Sequence, residues 1–313
     1  MANNPLFIFW NPRSLLPRLP DLKLYMSSTQ PHLVGLCETW LKKKYIPYFR
    51  GYHMERADRP DRQGGGLAFL IKHGLPYVIL PLQRYPGGGM EVLAVRINIS
   101  SQWYSILICY NPNKDIESQE FLHYFHQLQP PVLIYGDFNA HHSYWEPSIP
   151  RTYYNKTGIA LFQSLLQSAN IMLLTPPDQI TRIDPYRATT STLDLCLGSG
   201  VFVSASITTG PYMGSDHFPI VVTVPLTLPS THRSSRLRWH FGKMPDWTSF
   251  ANALQLSHAP DSDIDLQVDT MSSDFLRVGK SLFRLTEGSF SSKPNVPWWD
   301  ATCCSALASR KCL

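Results

Sequence analysis

Carboxylates, amides and an imidazole recur where apolar runs end. The stretch "VLIYGDFNAHHSYW", residues 132–145, carries four apolar residues to Gly136 and then presents Asp137 and Asn139. Trp10 is followed by Asn11, "HLVGLCETW" carries Glu38, and "SILICYNP" ends in Tyr110 and Asn111. "STLDLCL" sets Asp194 inside an apolar run, and "GSDHFPIVV" puts Asp216 and His217 just before one. A single Asp or Asn in such a place is ordinarily a turn former. A buried carboxylate without a partner is costly, so a set of them needs a reason. If these ends meet at one rim, they form an acidic pocket whose crowded charges a divalent cation relieves. Mg²⁺ suits such a pocket, because it takes oxygen ligands, keeps several waters and is completed by phosphate.

The elements that must position these residues are short. Strand-type runs occur at Leu6–Trp10, Leu33–Leu36, Leu67–Ile71, Tyr77–Leu80, Val92–Ile97, Tyr104–Tyr110, Val132–Tyr135, Thr192–Leu197 and Ile220–Val224. They are rich in Val, Ile, Leu and aromatics, and turn residues bound most of them. Helical periodicity appears over Leu15–Met26, Ser118–Leu128 and Gly158–Ala169. Strands outnumber helices in irregular order, which predicts a layered α/β sandwich rather than a repeated βαβ unit. Gly64–Gly66 reads as a tight turn, since no helix with phosphate-loop spacing follows it.

A boundary is expected near Pro225–Leu237, where the chain becomes rich in Pro, Ser and Thr and then basic. Residues 1–226 form the first domain. Residues 227–313 read as a linker and a small, mostly helical extension, with an amphipathic helix over Asp269–Leu285 and too little apolar mass for a large core.

Composition sets bounds. With 313 residues, 43% of them hydrophobic and 16% charged, the chain can build a real core and does not read as disordered. The net charge of +5 fits a polyanionic partner without demanding one. Cys37, Cys109 and Cys196 lie in apolar runs, as buried thiols do in a reducing compartment. Cys303, Cys304 and Cys312 have no zinc spacing with His. No signal peptide and no membrane-length apolar run is read, so the expectation is an intracellular protein without a membrane partner.

Taken in order, Asn11 in "WNPRSLL", Glu38 in "LCETW", "RQGGGLAFLI", Tyr110 in "CYNP", "GDFNAHHSYW", "STLDL" and "SDHFPI" resemble the endonuclease/exonuclease/phosphatase superfamily. More closely, residues 5–226 resemble the apurinic-type endonuclease domain of non-LTR, LINE-like retrotransposon proteins of the jockey type. The segments "WHFGKMPDWTSF" and "PWWD" resemble the stretch that joins this nuclease to a reverse transcriptase. The chain has no Asp-Asp pair, so the paired-aspartate box of that polymerase is absent, and the resemblance implies a copy truncated before the polymerase.

The resemblance implies a four-layer α/β sandwich, two packed mixed β-sheets flanked by helices. It implies hydrolysis of a phosphodiester with Mg²⁺, for which Mn²⁺ can substitute. Glu38 would bind the metal, Asn11 would support it, and Asp216 would sit in or beside its shell. Asp137, held by Asn139, would orient or deprotonate the attacking water. Tyr110 would hydrogen-bond the scissile phosphate, and His217, oriented by Asp194, would donate to a phosphoryl oxygen. Thr181 and Ser191 would touch DNA, with Thr181–Thr190 as a hairpin probing a groove, while His141 itself reads as a DNA contact or plain surface, since hard Mg²⁺ avoids imidazole. Trp145 reads as a packing residue beneath its loop. Glu146, where relatives have a small residue after the Trp, would add negative charge near a phosphate path. The implied partner is double-stranded DNA, nicked on one strand in the nucleus, with element RNA reached only through the missing polymerase. A phosphatase of the same fold, acting on a phosphorylated small molecule or lipid, is the alternative enzyme. A catalytically dead relic that at most binds DNA is the alternative without catalysis.

Overall fold

A computed structural model describes residues 4–59, 64–226, 237–240, 246–255 and 264–287. The chain divides into two compact units, Met1–Ser230 and Thr231–Leu313.

The first unit is built on two six-stranded sheets. In the first sheet, β1 (Leu6–Trp10) lies between β2 (Leu33–Leu36) and β14 (Ile220–Thr223). Beyond β2 come β4 (Leu67–Lys72) and β3 (Tyr52–Ala57), and β13 (Ser206–Thr209) closes the other edge. In the second, β7 (Gln102–Tyr110) and β8 (Val132–Asp137) are central. β6 (Glu91–Ile99) and β5 (Tyr77–Leu80) lie on one side, and β12 (Asp194–Gly198) and β9 (Met172–Leu173) on the other. Each sheet has one parallel pair, β1 with β2 and β7 with β8, and is otherwise antiparallel. A small hairpin pairs β10 (Arg182–Ile183) with β11 (Thr190–Ser191).

Three apolar layers hold the sheets. Phe7, Phe9 and Phe69 of the first sheet meet Ile106, Ile108, Leu133 and Cys196 of the second in the central core. Ile134 and Leu195 pack against Phe121, Phe125 and Leu161 from α2 (Ser118–His126) and α3 (Lys156–Gln167). Ile8, Val34 and Leu70 pack against Leu22 and Met26 of α1 (Leu19–Thr29). The order is helix, sheet, sheet, helix. Strands β1, β4, β8 and β12 are covered on both faces, which is why they read as continuous apolar runs rather than alternating ones.

Several boundaries differ from the sequence reading for local reasons. Pro17 lies in a short 3₁₀ turn at Leu16–Arg18 and Pro20 near the start of α1, so the helix begins at Leu19, not Leu15. Strand β3 escaped the reading: "YHMERA" is half-exposed and charged, as suits a sheet edge. Strand β8 runs on through Gly136 to Asp137. Trp145 is fully buried, as expected, and its indole donates to the Ala140 carbonyl at 3.1 Å.

In the second unit, α4 (Trp247–Ala253), α5 (Ile264–Leu282) and a ladder of β15 (Leu237–His240) with β16 (Arg284–Glu287) are described. The expected helix over Asp269–Leu285 is therefore longer at its start and gives way to a strand at its end. Residues 227–236, which carry most of the expected linker, and "PWWD" lie outside the described residues. Among the described residues no helix is long and apolar enough to cross a membrane.

Candidate metal and phosphodiester site

The strand ends that carry the motif residues meet at one rim of the first unit. Register puts Asp137 beside Tyr110 across the parallel β7–β8 pair and beside Asp194 across the antiparallel β8–β12 pair. Gly136 lets this happen: a Cβ there would lie 2.2 Å from the Cys109 carbonyl oxygen. β1 brings Asn11 from the other sheet. Its amide donates to Glu38 Oε1 and to Asp137 Oδ2, both at 2.9 Å, so one side chain ties two carboxylates from two sheets.

Each carboxylate has further partners. Trp40 Nε1 donates to Glu38 Oε2 at 3.1 Å. The Asn139 backbone N–H donates to Asp137 Oδ1 at 3.1 Å, while the Asn139 amide donates to the Asn111 carbonyl at 2.8 Å. His217 Nδ1 lies 2.7 Å from Asp194 Oδ2, and its Nε2 lies 3.8 Å from Asp137 Oδ2. Asp194, His217 and Asp137 thus form a buried line in which the imidazole stands between two carboxylates. Burial pushes the His217 ring down, but the charges of Asp194 and Asp137 outweigh it and raise it to about 9. Burial raises the Asp137 carboxyl to about 7, with His217 pulling it down and Asp194 and Glu38 pushing it up. Burial, and then Glu38 and Asp137, hold the Tyr110 phenol well above its ordinary range.

The donor set suits a divalent cation. Asp137, Asp194 and His217 offer ligand atoms that all lie within 4.8 Å of one another. Asp194 Oδ1 and Asp216 Oδ1 are buried without a hydrogen-bond partner among the described residues. Carboxylate oxygens dominate the rim, which favours a hard cation over a soft one.

The backbone is unusual at this rim. Arg13, Ser14, Glu38, Trp40 and Asn139 all have positive φ, between 45° and 83°. Non-glycine residues enter this region at a cost and gather at functional sites.

Other expected residues fall in different places. Asp216 Oδ2 accepts from Arg13 Nη1 at 3.0 Å and Arg182 Nε at 3.1 Å, so two guanidiniums already neutralise it. Ser191 is half-buried in β11, opposite Arg182, and the expected hairpin is present. Thr181 requires a correction. It is fully buried, and its hydroxyl accepts from the backbone N–H groups of Leu193 and Asp194 at 3.0 Å, so it pins the strand that carries Asp194 instead of facing DNA. Glu146 is also corrected: it is 3% exposed and braces two segments. It accepts from Thr192 N at 2.7 Å and lies 2.8 Å from His141 Nδ1, so its charge is sequestered and His141 keeps only Nε2 for another contact.

Arg13, Arg182 and Trp40, and the pairing of Arg59 with Glu91 behind Tyr110, were not expected from the sequence. Arg13 in "NPRS" and Trp40 in "ETW" are signalled only by adjacency to a motif, and Arg59 only by its place in the basic run Arg56, Arg59, Arg62.

Comparison with known proteins gives a consistent result. A family described as "Endonuclease-reverse transcriptase" matches residues 104–221. The probable RNA-directed DNA polymerase from transposon X-element of Drosophila melanogaster is 26% identical over 296 residues, 92% of this chain and 31% of that protein. The RNA-directed DNA polymerase from mobile element jockey of the same organism is 25% identical over 223 residues, 70% of this chain and 23% of that protein. The chain thus spans about a third or less of the length of these curated relatives. Among solved structures, the endonuclease domain of TRAS1, a telomere-specific non-LTR retrotransposon, superposes with a TM-score of 0.56 at 15% identity, covering 71% of this chain and 99% of that one. An AP endonuclease from Archaeoglobus fulgidus gives 0.55 at 14% identity, covering 71% and 100%. Motif order, fold and sequence kinship agree in making the chain similar to the endonuclease/exonuclease/phosphatase superfamily, and within it to the endonucleases of non-LTR retrotransposon proteins.

Proposed function

We propose that the chain is a Mg²⁺-dependent endonuclease that nicks one strand of double-stranded DNA, with Mn²⁺ able to substitute. One observation carries the reading: Asn11 ties Glu38 to Asp137 at the point where the Asp194–His217 pair reaches the same carboxylate. A bound divalent cation would supply electrophilic stabilisation of the phosphoryl oxygens and of the departing oxygen. Glu38 would hold that cation, with the Asn11 amide fixing the orientation of Glu38, and Asp216 would support it from beside. Asp137, aligned by the Asn139 N–H, orients the water for in-line attack and takes its proton. His217, steered by Asp194, donates to a phosphoryl oxygen as charge gathers there, and the Tyr110 hydroxyl donates to the same group. Ser191 on the hairpin and His141 Nε2 contact the DNA backbone.

The nick exposes a 3′-hydroxyl for target-primed reverse transcription by a polymerase region of the kind the longer relatives' names describe. Element RNA is met through that region, and the act takes place in the nucleus. Residues 1–226 constitute the nuclease domain, and 227–313 the segment leading toward the polymerase.

The test is nicking of supercoiled plasmid with Mg²⁺, with EDTA, and by Asp137→Ala with Mg²⁺. Conversion to open circle only by the unaltered chain with Mg²⁺ supports the reading. No conversion by a chain that melts cooperatively overturns it. Phosphate release from small phosphomonoesters would then point to a phosphatase, and its absence to a relic.

A further inference from the structure

Four polar side chains stand in one row across the second sheet, and only three of them enter the mechanism. Glu91 opens β6 and lies opposite Tyr110 of β7. Tyr110 lies opposite Asp137 of β8, and Asp137 opposite Asp194 of β12. Residues opposite one another in an antiparallel ladder present neighbouring side chains on one face. Glu91 is therefore the outer end of the row, next to the phenol assigned to the scissile phosphate. Its counter-charge comes from the other sheet: Arg59, just beyond β3, donates to Glu91 Oε1 and forms an ion pair with it.

The pair reaches both Tyr110 and Glu38. The Arg59 guanidinium lies over the Tyr110 ring, 5.8 Å from its centre. Glu91 Oε2 accepts the Gly66 N–H at 2.7 Å. The same glycine turn holds the segment after Glu38: the Gly66 carbonyl accepts the Thr39 N–H at 3.1 Å, and the Gly65 carbonyl the Trp40 N–H at 3.0 Å. Trp40 passes that constraint to the Glu38 carboxylate through its indole. Arg59 also packs on the turn, since a Cβ at Gly65 would lie 2.3 Å from its Cζ. Glu38 and Trp40 have φ of 45° and 52°, and such conformations persist only where the surroundings enforce them.

We infer that Arg59 and Glu91 are positioning residues, which fix Glu38, following β2, against Tyr110, ending β7 on the other sheet. The inference deepens the nuclease reading and rests on it. A direct role on phosphate fits Arg59 poorly: its side chain is 10% exposed, and its fork is turned to Glu91 and Gly65. Stability alone is also a weak reason for the pair, because apolar replacements of similar size often serve as well in a shielded place. Its contacts, by contrast, end on Tyr110 and on the turn that steadies Glu38, the two groups that must hold metal and phosphate at a set separation.

The test compares the full chain with its double variant Arg59→Met/Glu91→Met. Removing one charge of each sign leaves the net charge unchanged, so an effect on the metal reports geometry rather than field. Two quantities are read at a temperature where melting curves show both chains folded. One is Mn²⁺ affinity without DNA, from the electron paramagnetic resonance signal of the free ion. The other is plasmid nicking resolved into kcat and KM. Mn²⁺ affinity and kcat should each fall by roughly tenfold, with KM for DNA within about twofold of its starting value. Arg59→Lys keeps the charge facing Glu91 and should recover most of the loss. If the double variant does not melt cooperatively, Glu91→Gln is read in its place, since its amide oxygen can still accept from Gly66 while the charge facing Arg59 is gone. Unchanged Mn²⁺ affinity and kcat in a folded variant overturn the inference, as does a rise in KM alone, which would make Arg59 a DNA ligand. Mn²⁺ binding that depends on the pair in a chain that never nicks would keep the pair and remove the nuclease reading. Nicking indifferent to the pair would do the reverse, and a chain that binds no Mn²⁺ would remove both.

Discussion

At the scale of single residues, the site depends on donors that hold negative charges together. Asn11 is fully buried, and its amide serves both Glu38 and Asp137. Asn11→Ala should leave two carboxylates facing one another with no shared donor, and Asn11→Asp should add a third charge. We expect nicking to fall by on the order of a hundredfold for Asn11→Ala, with a larger Mg²⁺ requirement, and further for Asn11→Asp. A Mg²⁺ titration of the nicking rate checks both, and unchanged rates would remove Asn11 from the site. Thr181 poses a different question, because its hydroxyl accepts from Leu193 and Asp194. Thr181→Val keeps the shape and orphans two buried N–H groups, a loss of about 1–3 kcal/mol for each group left unpaired. Thr181→Ser should restore most of it. A melt that drops for Val and recovers for Ser supports positioning, whereas changed DNA affinity at an unchanged melting temperature would restore the surface role first expected. The carboxylates, His217 and Tyr110 were legible because strand ends with polar residues stand out in an apolar chain. Arg13, Arg182 and Thr181 were not, since their roles depend on which loops meet, and no local pattern encodes that.

At the scale of elements, strand register does the aligning, and small residues permit it. Most strands were readable because they are apolar on both faces, while β3 was not, because its edge position tolerates "HMER". The terminal turns of α1 and α5 were misplaced where prolines and a following strand, rather than periodicity, decide the ends. Gly136 is the sharpest case of register control. In Gly136→Ala the new Cβ would press on backbone of the neighbouring strand at 2.2 Å, so β7 and β8 must part just before Asp137. Overpacking of this kind costs about 1–3 kcal/mol or more. The variant should melt earlier and lose most of its nicking, whereas Gly51→Ala, with nothing within 4 Å of the new Cβ, should lose stability only through its φ of +85° and keep full activity. His32 joins β1 to the segment before β2, accepting the Leu6 N–H on Nδ1 at 3.2 Å. Burial, aided by Lys72, lowers its ring to about 4. Between that value and the ordinary 6.5 the unfolded chain binds a proton that the folded chain does not, so this residue makes stability fall as pH drops through that window. His32→Gln should flatten the acid limb of the melting curve between pH 6.5 and 4. An unchanged slope would mean that other groups carry it.

At the scale of the whole molecule, the main apolar core and both helix-covered layers are made of residues that precede Pro225. Every residue assigned to catalysis, metal or DNA also precedes it. The second unit has a small aromatic group of its own, in which Phe250 lies 5.8 Å from Phe283 and 6.1 Å from Phe275. If sheets and site need nothing from residues 227–313, a chain of residues 1–226 should fold cooperatively and nick plasmid at a rate within about threefold of the full chain, a difference below 1 kcal/mol in barrier. The cut falls beyond β14, the last strand of the sandwich, so no ladder loses a partner. Circular dichroism melting and the plasmid assay, run side by side, check the two halves of this expectation. A shortened chain that folds but does not nick would show that the second unit acts on the site. One that fails to fold would show that the sandwich draws stability from beyond its own cores, and the domain boundary would then have to move.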